Sequence, residues 1–212
     1  MAEMIQGTQQ ELDFWKGFVK TERFLNGWVA KRKTPELNEF VAHFIQQHDH
    51  GKILDCGSGV VSILNGLCDD AELVATDLLA NQYAKIFNYQ YHDIAPPLPY
   101  SAETLPYLNA FDIVHMSNAL DHTQRPYDAY TKMIDACKPG GFVIIQGFEN
   151  EADYERWQGM HQWNISLIEH DEGNVLDIKG KTEHFRSADK PYVSFKTTFE
   201  NGKTWYVWII RK

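Results

Sequence analysis

The stretch Lys52-Ile-Leu-Asp-Cys-Gly-Ser-Gly-Val-Val-Ser-Ile-Leu64 carries an apolar run into two closely spaced glycines and out again into apolar residues. A short apolar run that ends on glycine predicts a buried strand and a tight turn, and the residues beyond it are spaced like the opening of a helix. Gly57 and Gly59 can take backbone angles that a side chain forbids, so a ligand can lie against the main chain there. The first turn of a helix adds N–H groups without partners. This is a nucleotide-type binding corner.

Two ligand classes use such a corner. Gly57-x-Gly59-x-x-Ser62 departs from GxGxxG at its last position, and Asp55-x-Gly57-x-Gly59-x-Val61 departs from DxGxGxG at its own. Spacing leaves NAD and S-adenosylmethionine both open; charge separates them. Asp55 stands two residues ahead of the first glycine, where a carboxylate repels a pyrophosphate but suits the ammonium group of a methionine-like ligand. S-adenosylmethionine is the expected cofactor. Asp77, closing the segment Glu72-Leu-Val-Ala-Thr-Asp77, falls where a βα unit places a carboxylate against two ribose hydroxyls, a contact that either cofactor would make.

Ahead of this corner, residues 9 to 47 read as helical. Leu12, Trp15, Phe18 and Val19, then Phe24, Leu25, Trp28 and Val29, form one apolar stripe, a packing face that is also a candidate lid. Thr34-Pro35 opens a helix running Leu37 to Gln47. Beyond the corner, Ile63 to Cys68 continues a short helix, Leu73 to Thr76 is a buried strand, and Leu79 to Tyr89 is a second helix. A proline-rich connector, His92 to Pro99, leads to a strand at Phe111 to Met116. A helix over Pro126 to Cys137 follows, capped by Lys138-Pro-Gly-Gly141, and then a strand at Phe142 to Gln146. Strands alternating with helices predict a parallel sheet covered on both faces. From Trp163 the pattern changes to hairpins: Ile165 to Glu169 with Val175 to Ile178, and Val193 to Phe199 with Thr204 to Ile210 across Asn201-Gly202.

A chain of 212 residues suits one domain, and a formal net charge of −9 argues against holding a nucleic-acid backbone. The three cysteines lack CxxC spacing, and Cys56 and Cys137 sit in apolar surroundings, which suggests core packing and a reduced, cytoplasmic compartment. No segment approaches the roughly 20 apolar residues of a membrane span, and no basic stretch with an apolar run behind it opens the chain. His48-Asp-His50 lacks a third ligand and reads as a solvated turn, so no metal site is expected.

Taken in order, five motifs resemble the class I S-adenosylmethionine-dependent methyltransferases of the type 11 kind, over roughly residues 50 to 150. They are Asp55-Cys-Gly-Ser-Gly59, Asp77, Ala102-Glu103-x-Leu105-Pro106-Tyr107, Phe111-Asp-Ile-Val114 with Asn118-Ala-Leu-Asp-His122, and Lys138-Pro-Gly-Gly141. Glu149-Asn-Glu-Ala-Asp-Tyr with Gly159-Met-His-Gln-Trp-Asn164 also looks like a narrower bacterial subgroup, and Val61 departs from the family's third glycine. The resemblance implies an α/β, Rossmann-like, doubly wound fold with a mostly parallel seven-stranded sheet in a single domain. Its parts are an N-terminal helical cap (1–48), a cofactor-binding core (50–150) and an acceptor-side segment with antiparallel C-terminal hairpins (151–212). It also implies that Gly57, Ser58 and Gly59 border the methionine part, Asp77 the ribose and Leu78 one face of the adenine. Ala102 and Glu103 then lie near the adenine amino edge, and Asn118 and Ala119 beside the sulfonium.

Methyl transfer is an in-line attack in which the enzyme mainly supplies position and excludes water; a hydroxyl acceptor also needs a base. His122 and His161 are the candidates, with Asp121 as orienting partner, while His115 reads as a core residue of its strand. His161-Gln-Trp-Asn164 offers an aromatic face beside two amides, a combination suited to a sugar. The expected activity is O-methylation of a small-molecule or saccharide acceptor. The rival readings are an NAD-dependent oxidoreductase, disfavoured by Asp55, and an S-adenosylmethionine-binding module without catalysis.

Overall fold

The computed structural model describes residues 7–30, 38–48, 51–67, 70–171 and 173–212. Helices α1 (Thr8–Phe18) and α2 (Glu22–Phe24), the latter widening into a looser turn over Leu25–Val29, precede α3 (Glu39–Gln47). Next come β1 (Lys52–Cys56), β2 (Glu72–Thr76), α4 (Ala80–Tyr83), α5 (Tyr89–His92), β3 (Phe111–Ser117), α6 (Pro126–Ala136), β4 (Cys137–Phe148) and α7 (Glu151–Tyr154). The chain ends with β5 (Asn164–Ile168), β6 (Val175–Lys179), β7 (His184–Arg186), β8 (Val193–Thr198) and β9 (Thr204–Arg211).

One sheet has the order β2-β1-β3-β4-β9-β8, with its first four strands parallel and β9 and β8 antiparallel. Strands β5, β6 and β7 form a second, antiparallel sheet. The two-residue period of a strand splits the apolar side chains between two faces, and both faces are covered. Leu54, Cys56, Val114, Met116, Val143 and Ile145 pack beneath α6 and the inner side chains of β5 and β6. Ile53, Ile113, Ile144, Val207 and Ile209 pack against Val41, Phe44 and Ile45 of α3. Each such side chain, fully buried, contributes about 1.5–3 kcal/mol. A third cluster joins Val19, Phe24 and Trp28 to Val60, Val61, Leu79 and Tyr83, and so seats the N-terminal helices on the glycine corner.

Several elements differ from the sequence reading. The large sheet has six strands, not seven. Among the described residues, Leu98 alone pairs beyond β2, in a single parallel bridge to Thr76, because Pro96, Pro97 and Pro99 around it cannot donate to a ladder. Residues 63–67 are turns and not a helix. Ser62 Oγ donates to Asp55 and accepts from the Leu64 amide, and Gly66 (φ 73°) turns the chain out of helical geometry. Cys68, the expected end of that helix, lies outside the described residues, as does the Thr34-Pro35 start; the structure caps α3 with Asn38, whose Oδ1 accepts from the Phe40 amide. The helix expected over Leu79 to Tyr89 is split into α4 and α5. Lys138-Pro-Gly-Gly141 is not a helix cap but an irregular part of β4, where the register with β3 shifts and Lys138 pairs with Asp112 at 2.7 Å. Cys56 and Cys137 are buried free thiols. His48 stacks on Phe44, while its neighbours 49 and 50 lie outside the described residues. No described helix is long and apolar enough to cross a membrane.

Candidate active site

Strand β1 ends in the glycine turn. Gly57 (φ 66°) and Gly59 (φ 67°) are both left-handed, a conformation that a side chain strains. Both are also crowded: a Cβ on Gly57 would meet Ala119 at 2.7 Å, and one on Gly59 would meet the Trp15 indole at 2.3 Å. All three amides of the turn donate inward. Those of Gly57 and Ser58 reach Thr76 O at 2.8 and 3.1 Å, and that of Gly59 reaches Asp77 Oδ2 at 2.9 Å. The turn therefore neither opens a helix nor presents these N–H groups to a ligand, contrary to the sequence reading. Asp77 Oδ1 accepts from the Leu79 amide at 2.8 Å. Burial, with the Glu11 carboxylate adding to it, outweighs these amides and raises the Asp77 pKa to about 6.

Asp55 is buried, and its two oxygens are engaged, Oδ1 with His115 Nδ1 at 2.7 Å and Oδ2 with Ser62 Oγ at 2.5 Å. His115 Nε2 meets Gln146 Nε2 at 2.9 Å, and Gln146 Oε1 accepts from Trp205 Nε1 at 3.2 Å. With His115 donating through Nδ1 and accepting through Nε2, each of these four hydrogen bonds has one donor and one acceptor. Asp55 thus acts on the turn through Ser62. The signal was present in the sequence, since Asp55 and His115 are each the single polar residue within the apolar runs Ile53–Cys56 and Ile113–Met116, and they face each other across β1 and β3.

A cleft of about 770 Å³ opens beyond the carboxyl ends of β1, β2 and β3. The chain passes from β1 to β2 on one side and then to β3 on the other, so this is the switch point at which open α/β sheets bind ligands. The cleft is lined by Asp55, Gly57, Ser58, Gly59, Asp77, Leu78, Ala102, Glu103, Asn118, Ala119, His122 and His161. Helix α1 contributes Glu11, Phe14, Trp15 and Phe18 to the same lining. Glu11, Phe148, Glu151 and Trp205 also line it and were not singled out from the sequence. Glu103 has a structural task there, because Oε1 accepts from the Gln124 amide at 2.8 Å just ahead of α6. Asn118 (φ 49°) accepts from the Phe148 amide through Oδ1 at 3.1 Å, which ties β3 to the end of β4.

Asp121 and His122 sit on the short turn after β3, and His161 on the loop after α7. They meet 40 residues apart in sequence: His161 Nδ1 lies 2.7 Å from Asp121 Oδ2, and His122 Nε2 lies 3.2 Å from His161 Nδ1 and 3.6 Å from Asp121 Oδ2. Asp121 is buried. Burial alone would raise its pKa, but the charges of His122 and His161 bring it below the usual carboxylate value. For His161, burial would lower the pKa, yet Asp121 and Glu151 hold it above the ordinary value. Buried Glu151 is shifted upward, first by desolvation and then by Asp121.

The rest of the His-Gln-Trp-Asn segment turns away from the cleft. Trp163 packs in the main core and donates Nε1–H to Thr123 O at 2.9 Å. Asn164 Nδ2 donates to Asp153 at 2.8 Å, and Gln162 Nε2 donates to Gly159 O at 2.9 Å. These side chains fasten the loop that carries His161 and do not form the aromatic sugar platform expected from the sequence.

Residues 54–145 match the model of a methyltransferase domain family. No curated protein matches the chain in sequence. Among solved structures, the PH0226 protein of Pyrococcus horikoshii OT3 is similar with a TM-score of 0.57 at 14% identity, covering 97% of this chain and 99% of that one. The N-methyltransferase NodS from Bradyrhizobium japonicum WM9, in complex with S-adenosylhomocysteine, gives 0.56 at 11% identity, covering 98% and 99%. The Burkholderia thailandensis 1,6-didemethyltoxoflavin-N1-methyltransferase, bound to 1,6-didemethyltoxoflavin and S-adenosylhomocysteine, gives 0.53 at 15% identity, covering 100% and 92%. Residues 54–145 are thus similar in sequence to a methyltransferase domain family, and the chain shares its Rossmann-like fold with these solved methyltransferases.

Proposed function

We propose that the protein transfers a methyl group from S-adenosylmethionine to an oxygen of a small-molecule acceptor. S-adenosylmethionine is the cofactor: the matched domain is a methyltransferase domain, and two of the similar structures hold S-adenosylhomocysteine. The observation that carries this reading is the inward direction of the Gly57, Ser58 and Gly59 amides. A dinucleotide needs such donors, and a helix start, for its pyrophosphate, whereas S-adenosylmethionine has no phosphate to satisfy. Gly57, Ser58 and Gly59 then border the methionine part, Asp77 the ribose hydroxyls and Leu78 one adenine face. Ala102 and the unengaged oxygen of Glu103 lie toward the adenine amino edge, and Asn118 and Ala119 toward the sulfonium.

Oxygen is favoured over nitrogen by the cluster at the other end of the cleft. Two of the similar proteins are N-methyltransferases by name, but a neutral amine needs no strong base, and Asp121, His122 and His161 would then be idle. In the proposed step the acceptor O–H proton passes to the cluster, the O–CH3 bond forms as the CH3–S bond breaks, and the sulfonium becomes a neutral thioether. The aromatic side chains of Phe14, Trp15, Phe148 and Trp205 suit a small molecule with an apolar face. A saccharide would have to be held without Trp163. The test is turnover of methyl-labelled S-adenosylmethionine against a panel of small hydroxylated and amine acceptors. Product on oxygen, lost by about 10²–10⁴-fold in His161→Ala with cofactor affinity kept, supports the proposal; product on nitrogen, unaffected by that substitution, contradicts it.

A further inference from the structure

The cluster of Asp121, His122 and His161 is built unlike a simple proton relay. Three lone-pair atoms, Asp121 Oδ2, His122 Nε2 and His161 Nδ1, converge with separations of 2.7, 3.2 and 3.6 Å. One proton on His161 Nδ1 can serve the carboxylate or the second imidazole, but it cannot serve both in good geometry. Bonds of about 2.0–2.2 Å from a small divalent ion to nitrogen and oxygen would place neighbouring ligand atoms about 2.8–3.6 Å apart; the 3.2 and 3.6 Å separations fall in that range, and the 2.7 Å one needs only a slight opening. All three atoms lie within 4.8 Å of one another.

A second observation points the same way. Glu151 is only 7% exposed, lines the cleft, and is close enough to Asp121, His122 and His161 for their charges to act on it. Among the described residues, its buried Oε2 has no hydrogen-bond partner, and the carboxylate otherwise has only the Asn118 side chain acting on it as a polar neighbour besides the cluster. A buried acceptor without a donor is costly unless a ligand or its water supplies one. We infer that Asp121, His122 and His161, backed by Glu151, form a binding site for one divalent transition-metal cation on the wall of the cleft.

Two imidazoles and a carboxylate favour ions of the Zn²⁺, Fe²⁺ or Mn²⁺ kind over Mg²⁺ or Ca²⁺, which prefer all-oxygen cages. What the ion does rests on the proposed methyl transfer to oxygen: it would orient an acceptor hydroxyl and lower its pKa, and with the three cluster atoms on the ion the proton would pass to the Glu151 carboxylate. Its binding does not rest on that reading.

The experiment uses Co²⁺ alone, titrated into full-length protein freed of metal by a chelator, with no cofactor or acceptor present. Visible d–d absorption should rise and level off at one ion per chain and be displaced by Zn²⁺. Asp121→Ala and His161→Ala should each weaken Co²⁺ binding by at least about tenfold, and Glu151→Gln by about 10–100-fold, as for outer partners of metal ligands. His184→Ala, which removes the imidazole of a surface pair with Asp177, should leave binding unchanged. Circular dichroism melts establish that each variant is folded. The inference is overturned if the wild type gives no saturable spectrum, or if His184→Ala is as damaging as His161→Ala. A protein that takes Co²⁺ but never S-adenosylhomocysteine would keep this site and lose the methyltransferase reading, and the converse result separates the two in the other direction.

Discussion

The Trp15 indole lies across the α-carbon of Gly59, so close that a methyl group there would meet the ring at 2.3 Å. Trp15 is itself held by Glu11, which accepts from its Nε1 at 2.8 Å, and it packs edge-on to Tyr83 and Phe24. Helix α1 is therefore fitted to the glycine turn and forms part of the cleft, the place where a lid would act.

Gly59→Ala should be costly twice, through a left-handed backbone worth about 1–2 kcal/mol and through displacement of the indole. Trp15→Ala in the same chain should recover part of the loss. Thermal melts of the two single variants and the double variant measure this coupling; strictly additive effects would show that the contact does not matter.

The buried chain from Ser62 through Asp55, His115 and Gln146 to Trp205 should be sensitive at its centre. His115→Leu leaves Asp55 and Gln146 each short of a partner inside the core, which should cost about 3–5 kcal/mol. Trp205→Phe removes only the terminal donor and should cost about 1 kcal/mol in hydrogen bonding. Urea unfolding of the two variants checks the ranking, and equal effects would contradict it.

If Asp77 holds the ribose as proposed, cofactor binding should depend on pH. Its free-protein pKa is about 6, and ribose hydroxyls would donate to the ionised form, so binding lowers this pKa. The sign follows: affinity is flat above about pH 6 and falls by up to about tenfold per unit below it, as a proton must be lost for the ligand to bind. Glu11→Gln, by removing the charge that helps to raise Asp77, should move the break to lower pH. Calorimetric affinities for S-adenosylhomocysteine between about pH 5 and 8 test this; a break that moves upward in Glu11→Gln would refute the assignment.

Trp163 should matter for stability and not for ligands. Trp163→Phe keeps most of the packing but leaves Thr123 O without its donor, at a cost of about 1–3 kcal/mol, with cofactor affinity and acceptor KM unchanged. A raised acceptor KM at normal stability would restore the sugar-platform reading.

Much of this architecture was legible because its determinants are local. The apolar run into Gly57 and Gly59, the strand at Phe111, and the hairpin at Asn201-Gly202 declare themselves within a few residues. What stayed hidden depends on distant partners. Ser62 leaves the expected helix because Asp55 takes its hydroxyl. The seventh strand shrinks to Leu98 because prolines flank it. Trp163 looked like a ligand platform because nothing near it in sequence shows that Phe185 and Gly180 pack against its ring and that Thr123 O takes its N–H. The site residues were nameable one by one, but the meeting of Asp121 with His161 depends on where the loop after α7 lands, and no local spacing encodes that.

The central claim, that the glycine turn and Asp77 hold S-adenosylmethionine, is tested most directly by calorimetric titration of S-adenosylhomocysteine into the wild type and Asp77→Ala. The expected result is saturable binding to the wild type, weakened one to two decades in the variant, since charge-assisted hydrogen bonds to two hydroxyls are worth about 1.5–3 kcal/mol. No binding to the wild type, or equal affinity in a folded Asp77→Ala, would contradict the account.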